Sequence, residues 1–165
     1  MNRDLYRKIS RPFRKNKQTV QFVRLLNLAL TGLVYVAYPA LMLYVLIFSR
    51  EHFWRALIVP GSMFVFVSGL RKVIDRPRPY EALEFRPLLV KEKQGESMPS
   101  RHIFSVFVIA MTFMYVFGAG ASVPFFVIGV VMALLRVIGG VHYPSDVLAG
   151  AAIGIVSGIL GFYVI

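Results

Sequence analysis

The sequence predicts an all-α, polytopic membrane helix bundle of about five transmembrane helices with a basic N-terminal segment at the membrane surface. Three features point that way. Hydrophobic residues make up 57% of the 165-residue chain and charged residues only 16%, where a soluble domain carries roughly a quarter charged. The mean hydropathy is +0.65. The apolar residues also fall into long runs whose ends, rather than middles, hold the ionisable side chains.

Residues 1–24 (MNRDLYRKISRPFRKNKQTVQFVR) are dense in Lys and Arg, with Asp4 the sole acid and Pro12 breaking the pattern. Such a segment is expected to lie on the membrane surface as a partly helical stretch. Asn27–Phe48 follows, long enough at about 1.5 Å per residue to cross a hydrocarbon layer of ~30 Å. It is too long for a signal-peptide core and has no small-residue cleavage site. The polar link SREHF leads to Trp54–Leu70, which spans if Trp54 and Arg55 sit in the interface, and Pro60-Gly61 should kink it. A polar stretch, residues 71–101, separates it from Ile103–Phe117, and Val123–Leu135 and Val147–Ile165 complete the set. Residues 25–165 thus form a single transmembrane domain, multi-pass in the cell membrane. Gly150, Gly154 and Gly158 recur at four-residue spacing, a face that permits close backbone approach. Packing inside the monomer is the expected use of that face, with a homodimer seam the alternative.

The net charge is +11, from 19 Lys and Arg against 8 Asp and Glu. In a membrane protein this points to anionic headgroups and a phosphorylated substrate. No basic-aromatic surface module is present, so a nucleic-acid partner is not expected. The chain has no cysteine, which excludes disulfides and thiolate metal sites.

Three polar islands stand at ends of apolar runs: Arg71–Pro79, Pro99–His102, and Arg136 with His142 and Asp146. Counting up-and-down spans places all three at one face of the membrane. Ionisable groups bordering an apolar core are costly and point to function. Arginines offer planar N–H forks suited to phosphate. Ser100 is placed to cap a helix whose N-terminus faces an anion. Pro144 suits a first helical turn, with Asp146 just inside it. That carboxylate can hold one N–H of His142 and leave the other ring nitrogen free to attack, while His102 can protonate a leaving alkoxide. These types describe a metal-free phosphoryl-transfer site working through a phosphohistidine. Two histidines and one carboxylate among arginines would repel a dication, so neither metal nor other cofactor is expected.

With these residues in place the chain resembles the type 2 phosphatidic acid phosphatase (PAP2) superfamily, which includes the vanadium haloperoxidases. That family carries K-x6-R-P, P-S-G-H and S-R-x5-H-x3-D. Here the three stand in order as Arg71-x6-Arg78-Pro79, Pro99-Ser100-Arg101-His102 and Arg136-x5-His142-x3-Asp146. Arg71 replaces the lysine, Arg101 the glycine and Leu135 the serine. The resemblance implies that His142 is the nucleophile, Asp146 its orienting partner and His102 the general acid. It implies that Arg71, Arg78, Ser100 and Arg136 hold the phosphate, to which Arg101 is expected to add a contact. Family members often have six spans; five here suggests that the usual first span is missing or reduced to the basic segment.

The resemblance further implies a lipid phosphate or isoprenoid diphosphate as substrate: phosphatidate, phosphatidylglycerol phosphate or an undecaprenyl diphosphate. The alternative is a non-catalytic lipid-phosphate binder or carrier that kept the pocket. Polar residues are sparse at mid-membrane depth, which weighs against a transporter or channel. The stretch Glu81–Met98 is either a cap over the entrance or a solvated connector. The basic first 24 residues favour a cytoplasmic N-terminus and a cytoplasmic site, whereas matching SREHF to a cytoplasmic turn of the family places the site outside.

Overall fold

The computed structural model describes residues 3–89 and 94–165. Met1, Asn2 and residues 90–93, which belong to the expected surface segment and to the expected cap, lie outside the described residues. Helix α1 (Arg3–Ser10) runs into a 3-10 turn (Arg11–Arg14), and then come α2 (Lys17–Phe48), α3 (Arg50–Ile74), the single-turn α4 (Pro79–Ala82), α5 (Arg101–Phe117), α6 (Ala119–Ile138) and α7 (Pro144–Ile159). A π-turn (Leu160–Val164) ends the chain, and no strand occurs among the described residues. The all-α polytopic bundle is thus the observed fold.

Helices α2, α3 and α6, and α7 together with the π-turn that carries it on to Val164, are each long and apolar enough to cross a membrane. Exposed Leu28, Val36, Val65 and Leu148 point outward, as a lipid solvent requires. The apolar α5, 17 residues long, is shorter than these continuous spans. It stands in the middle, packed on α2, α3, α6 and α7. Ile103, Phe104, Val106 and Val108 are almost wholly buried on it, so neighbouring helices rather than lipid surround much of its length.

The glycines of α7 explain how closely the centre packs. A Cβ at Gly150 would meet the Ser100 carbonyl at 2.6 Å, and one at Gly154 the Phe104 carbonyl at 2.8 Å. The small-residue face therefore serves α5 within the chain. Hydroxyls at membrane depth bond to their own helix: Thr31 to Asn27, Ser62 to Ile58, Ser68 to Phe64 and Thr112 to Val108. A buried hydroxyl in hydrocarbon is thereby satisfied without water.

The N-terminal region differs from expectation in where its first long helix starts. Helix α2 begins at Lys17, ten residues before the apolar run, because Asn16 accepts from the Thr19 N–H at 2.7 Å and caps it. Ahead of that cap, α1 docks on the protein. Tyr6 is buried and stacks on Phe85 with ring centroids 3.7 Å apart. Three basic side chains then hold alternate carbonyls of the segment after α4: Arg3 that of Glu84, Arg14 that of Arg86 and Arg24 that of Leu88.

Candidate active site

The three islands meet at one end of the bundle. Arg71, on the last turn of α3, donates from Nη1 to the Pro99 carbonyl at 2.6 Å, while Nη2 lies 3.9 Å from a Glu96 carboxylate oxygen. Asp75 then ends α3 in the left-handed region with φ 38°. Its carboxylate accepts from the Glu96 N–H at 3.1 Å. This turn sends Arg76 and Arg78 back toward the bundle. Arg78 is fully buried and donates to the carbonyls of Gly95, Val141 and Glu96 at 3.0, 3.2 and 3.5 Å. It therefore clasps two loops together as well as placing a cation in the site.

Helix α6 ends at Ile138, and Gly140 takes the left-handed conformation at φ 75° that a side chain would resist. The chain folds back so that the N–H groups of Val141 and His142 point at the Arg136 carbonyl, at 3.2 and 3.4 Å. Two residues later Pro144 opens α7, and Asp146 on its first turn accepts from the Tyr143 N–H at 2.9 Å. The Ser100 N–H donates to the Asp146 carbonyl at 2.9 Å and so locks the start of α5 to the start of α7.

Asp146 is the hub. Its Oδ2 accepts from Ser97 Oγ at 2.5 Å and its Oδ1 from Arg76 Nη1 at 2.8 Å. Arg76 also donates to Ser145 Oγ at 2.8 Å and lies over the Tyr143 ring, 4.2 Å from its centroid. His142 is 1% exposed, with Nδ1 3.6 Å from Asp146 Oδ2 and 3.4 Å from Ser97 Oγ. The first distance exceeds a formed hydrogen bond. Because Ser97 gives its single proton to Asp146, its oxygen is left to accept Nδ1–H, and Nε2 keeps the lone pair. Burial, reinforced by the charges of Arg78 and Arg136, lowers the His142 pKa to about 4 against the opposing pull of Asp146. The imidazole is neutral at physiological pH.

Buried donors from three helices gather here without protein partners. The Nε atoms of Arg71 and Arg136 and the Oγ of Ser100 are sequestered with no hydrogen-bond partner among the described residues. Ser100 is the N-cap residue of α5, yet its side chain makes no cap bond, which differs from the expected capping role and leaves the hydroxyl aimed elsewhere. Buried donors left free in this way suit an oxygen acceptor such as a phosphate. Among the described residues no three His, Asp or Glu side chains cluster as metal ligands.

His102, on the first turn of α5, lines a cavity of about 30 Å³ with Arg101, Thr31, Tyr35 and Phe64. The Arg101 guanidinium lies over the Phe64 ring, 5.3 Å from its centroid, and within electrostatic reach of Arg71. An apolar crevice of about 320 Å³ between α2, α3 and α5 shares Tyr35, Phe64 and Ser105 with that cavity.

Arg76 and Ser97 were not singled out as site residues by sequence. Arg76 stands in the same Arg-Pro-Arg-Pro string as Arg78, and Ser97 lies two residues ahead of Pro99. Nearness to the motifs was the available signal.

The profile of the PAP2 superfamily matches residues 53–165, which include all three islands. The chain belongs to the PAP2 superfamily. Among solved structures, its PAP2 fold resembles LpxE from Aquifex aeolicus with a TM-score of 0.75 and 27% identity, over 97% of this chain and 93% of that one. It also resembles a PAP2-type phosphatidylglycerolphosphate phosphatase from Bacillus subtilis, with a TM-score of 0.56 and 24% identity over 95% of this chain and 90% of that one. The second likeness is one of fold alone. No curated protein matches this PAP2 chain at a comparable level.

Proposed function

We propose that the chain is an integral membrane phosphatase that hydrolyses a lipid phosphate or isoprenoid diphosphate through a phosphohistidine. The observation that carries this reading is the gathering of unpartnered buried donors from Arg71, Ser100 and Arg136 around a neutral, buried His142. His142 Nε2 attacks phosphorus and forms an N–P bond as the P–O bond to the leaving group breaks. His102 gives its proton to the departing oxygen. His102 then takes a proton from water, whose oxygen attacks phosphorus; the N–P bond breaks and inorganic phosphate leaves. Asp146 balances the positive charge on the phosphorylated ring, and the arginines balance the charge on the transferring group. The apolar crevice beside Arg101 and His102 supports a lipid substrate, since a tail can stay in an apolar channel while its phosphate reaches the polar end.

The test is phosphate release from a panel of phosphatidate, phosphatidylglycerol phosphate and undecaprenyl diphosphate by purified protein in the presence of a chelator. Release by the parent and its loss in His142→Ala are expected, with acid-labile phosphate trapped on the parent. Tight binding of these lipids without release would instead favour a carrier. Release by His142→Ala at the parent rate would remove His142 as nucleophile.

A further inference from the structure

A second charged basin lies outside the site. Arg3, Arg7 and Arg11 follow one another at four-residue spacing along α1 and the turn after it. With Arg14 and Arg86 they line a cavity of about 470 Å³, whose acidic member is Glu84. Five like charges around one hollow repel one another, and like-charged pairs at this spacing destabilise a helix. Arg3 and Arg14 donate to backbone carbonyls of the 84–86 segment. No such use is made of Arg7 and Arg11: their exposed guanidinia form no hydrogen bond or ion pair among the described residues. The hollow continues past Arg14 into a second basic one lined by Lys15, Lys17 and Arg24.

The floor of the basin touches the catalytic loop. The buried Tyr6 ring, stacked on Phe85, presses on Gly140, where a Cβ would stand 2.6 Å from Tyr6 and 2.7 Å from Phe85. The N–H groups of Leu88 and Leu89 point at the Gly139 carbonyl, at 3.0 and 3.4 Å. His142 is two residues beyond Gly140.

We infer that the basin formed by α1 and residues 84–86 binds the phosphate of an anionic membrane lipid other than the substrate, and that its occupancy clamps Tyr6 and Phe85 on the loop that carries His142. The occupant is a lipid because the basin belongs to a segment that leads directly into the first membrane-crossing helix, α2. An anion there cancels the repulsion among the arginines and holds α1 against the 84–86 segment. The binding part stands apart from the phosphatase reading; the effect on turnover rests on it.

The test uses the full chain in neutral detergent, with phosphatidylglycerol, phosphatidylcholine and inorganic phosphate as probes. Phosphatidylglycerol should bind roughly tenfold more weakly to the double variant Arg7→Gln, Arg11→Gln than to the parent. Arg7→Lys, Arg11→Lys should keep parent affinity, and neither variant's thermal midpoint should fall below that of the parent. Phosphatidylglycerol should also raise kcat/KM on a short-chain lipid phosphate several-fold in the parent and not in the glutamine variant, whose rate in neutral detergent stays that of the parent. Equal phosphatidylglycerol affinity in parent and glutamine variant would overturn the site, as would equal affinity for phosphatidylcholine or displacement by inorganic phosphate at similar concentration. Weakened binding with unchanged stimulation would overturn the clamp. A parent with no turnover at all would count against the phosphatase reading while the binding arm still decides the site.

Discussion

Ser97 donates its hydroxyl proton to Asp146 Oδ2 at 2.5 Å, across 49 positions of sequence, and stands 3.4 Å from His142 Nδ1. The imidazole reaches its carboxylate through this hydroxyl more closely than directly. A hydrogen bond to a charged group contributes about 1.5–3 kcal/mol. Ser97→Ala should therefore lower kcat about 10- to 100-fold and leave KM near that of the parent, because in the proposed mechanism the bond orients the nucleophile without touching the phosphate. Ser97→Thr should restore part of the rate. Steady-state kinetics of the two variants on one lipid phosphate check this; an unchanged kcat in Ser97→Ala would show that Asp146 orients the ring unaided.

With His142 as the proposed nucleophile, its pKa sets the acid side of the pH profile. Burial and the neighbouring arginines depress it to about 4, so the attacking neutral form persists well below the usual histidine range near 6.5. The acid limb of kcat/KM, which reports the free enzyme, should accordingly fall near pH 4. Arg136→Gln removes one of the depressing charges, so its limb should move to higher pH while kcat/KM drops through loss of the proposed phosphate contact. A parent limb centred near pH 6.5 would show that the ring is not held in the neutral form described.

Much of this was legible because a bilayer is an unforgiving solvent. Apolar runs had to span, and the costly residues Arg71, His102, Arg136, His142 and Asp146 had to gather at their ends. Pro144 announced the start of α7 and so the place of Asp146 on its first turn. Hydropathy, however, marks the lipid and not the helix, which is why α2 starts at Asn16's cap well ahead of the apolar run. The partner of Asp146 was equally hidden. Which of Arg76 and Arg78 faces it depends on the left-handed turn at Asp75, a backbone choice that no periodicity records. Ser97 sits in irregular chain, and Tyr6 lies within a basic stretch whose composition predicts a surface location rather than a buried aromatic stack.

The α5–α7 seam yields a stability prediction. A Cβ at Gly154 would stand 2.8 Å from the Phe104 carbonyl and 2.9 Å from Phe107 Cβ, and neither can swing aside as a flexible tip would. Gly154→Ala should cost about 1–3 kcal/mol as overpacking, lowering the thermal midpoint in detergent by several degrees, at roughly 2–4 °C per kcal/mol. Gly61 on α3 is the control, since a Cβ there meets nothing within 4 Å. Gly61→Ala should leave the midpoint unchanged or raise it, because alanine loses less backbone freedom on folding.

Arg101 stands where the family motif has glycine, and its position suggests what the change does. Its guanidinium lies over Phe64 beside His102, near enough to Arg71 for the two charges to repel. An anion between them turns that repulsion into shared attraction, which favours bound substrate over free enzyme. Arg101→Gly should therefore raise KM about tenfold, the equivalent of one modest charge-assisted hydrogen bond, while kcat stays within about threefold of the parent. Arg101→Lys should fall between, since a point charge keeps the attraction but loses the planar fork. Measuring both constants on one lipid phosphate separates this from obstruction. A glycine variant that turned over faster at unchanged KM would mean that Arg101 narrows the way to His102 instead of gripping what arrives there.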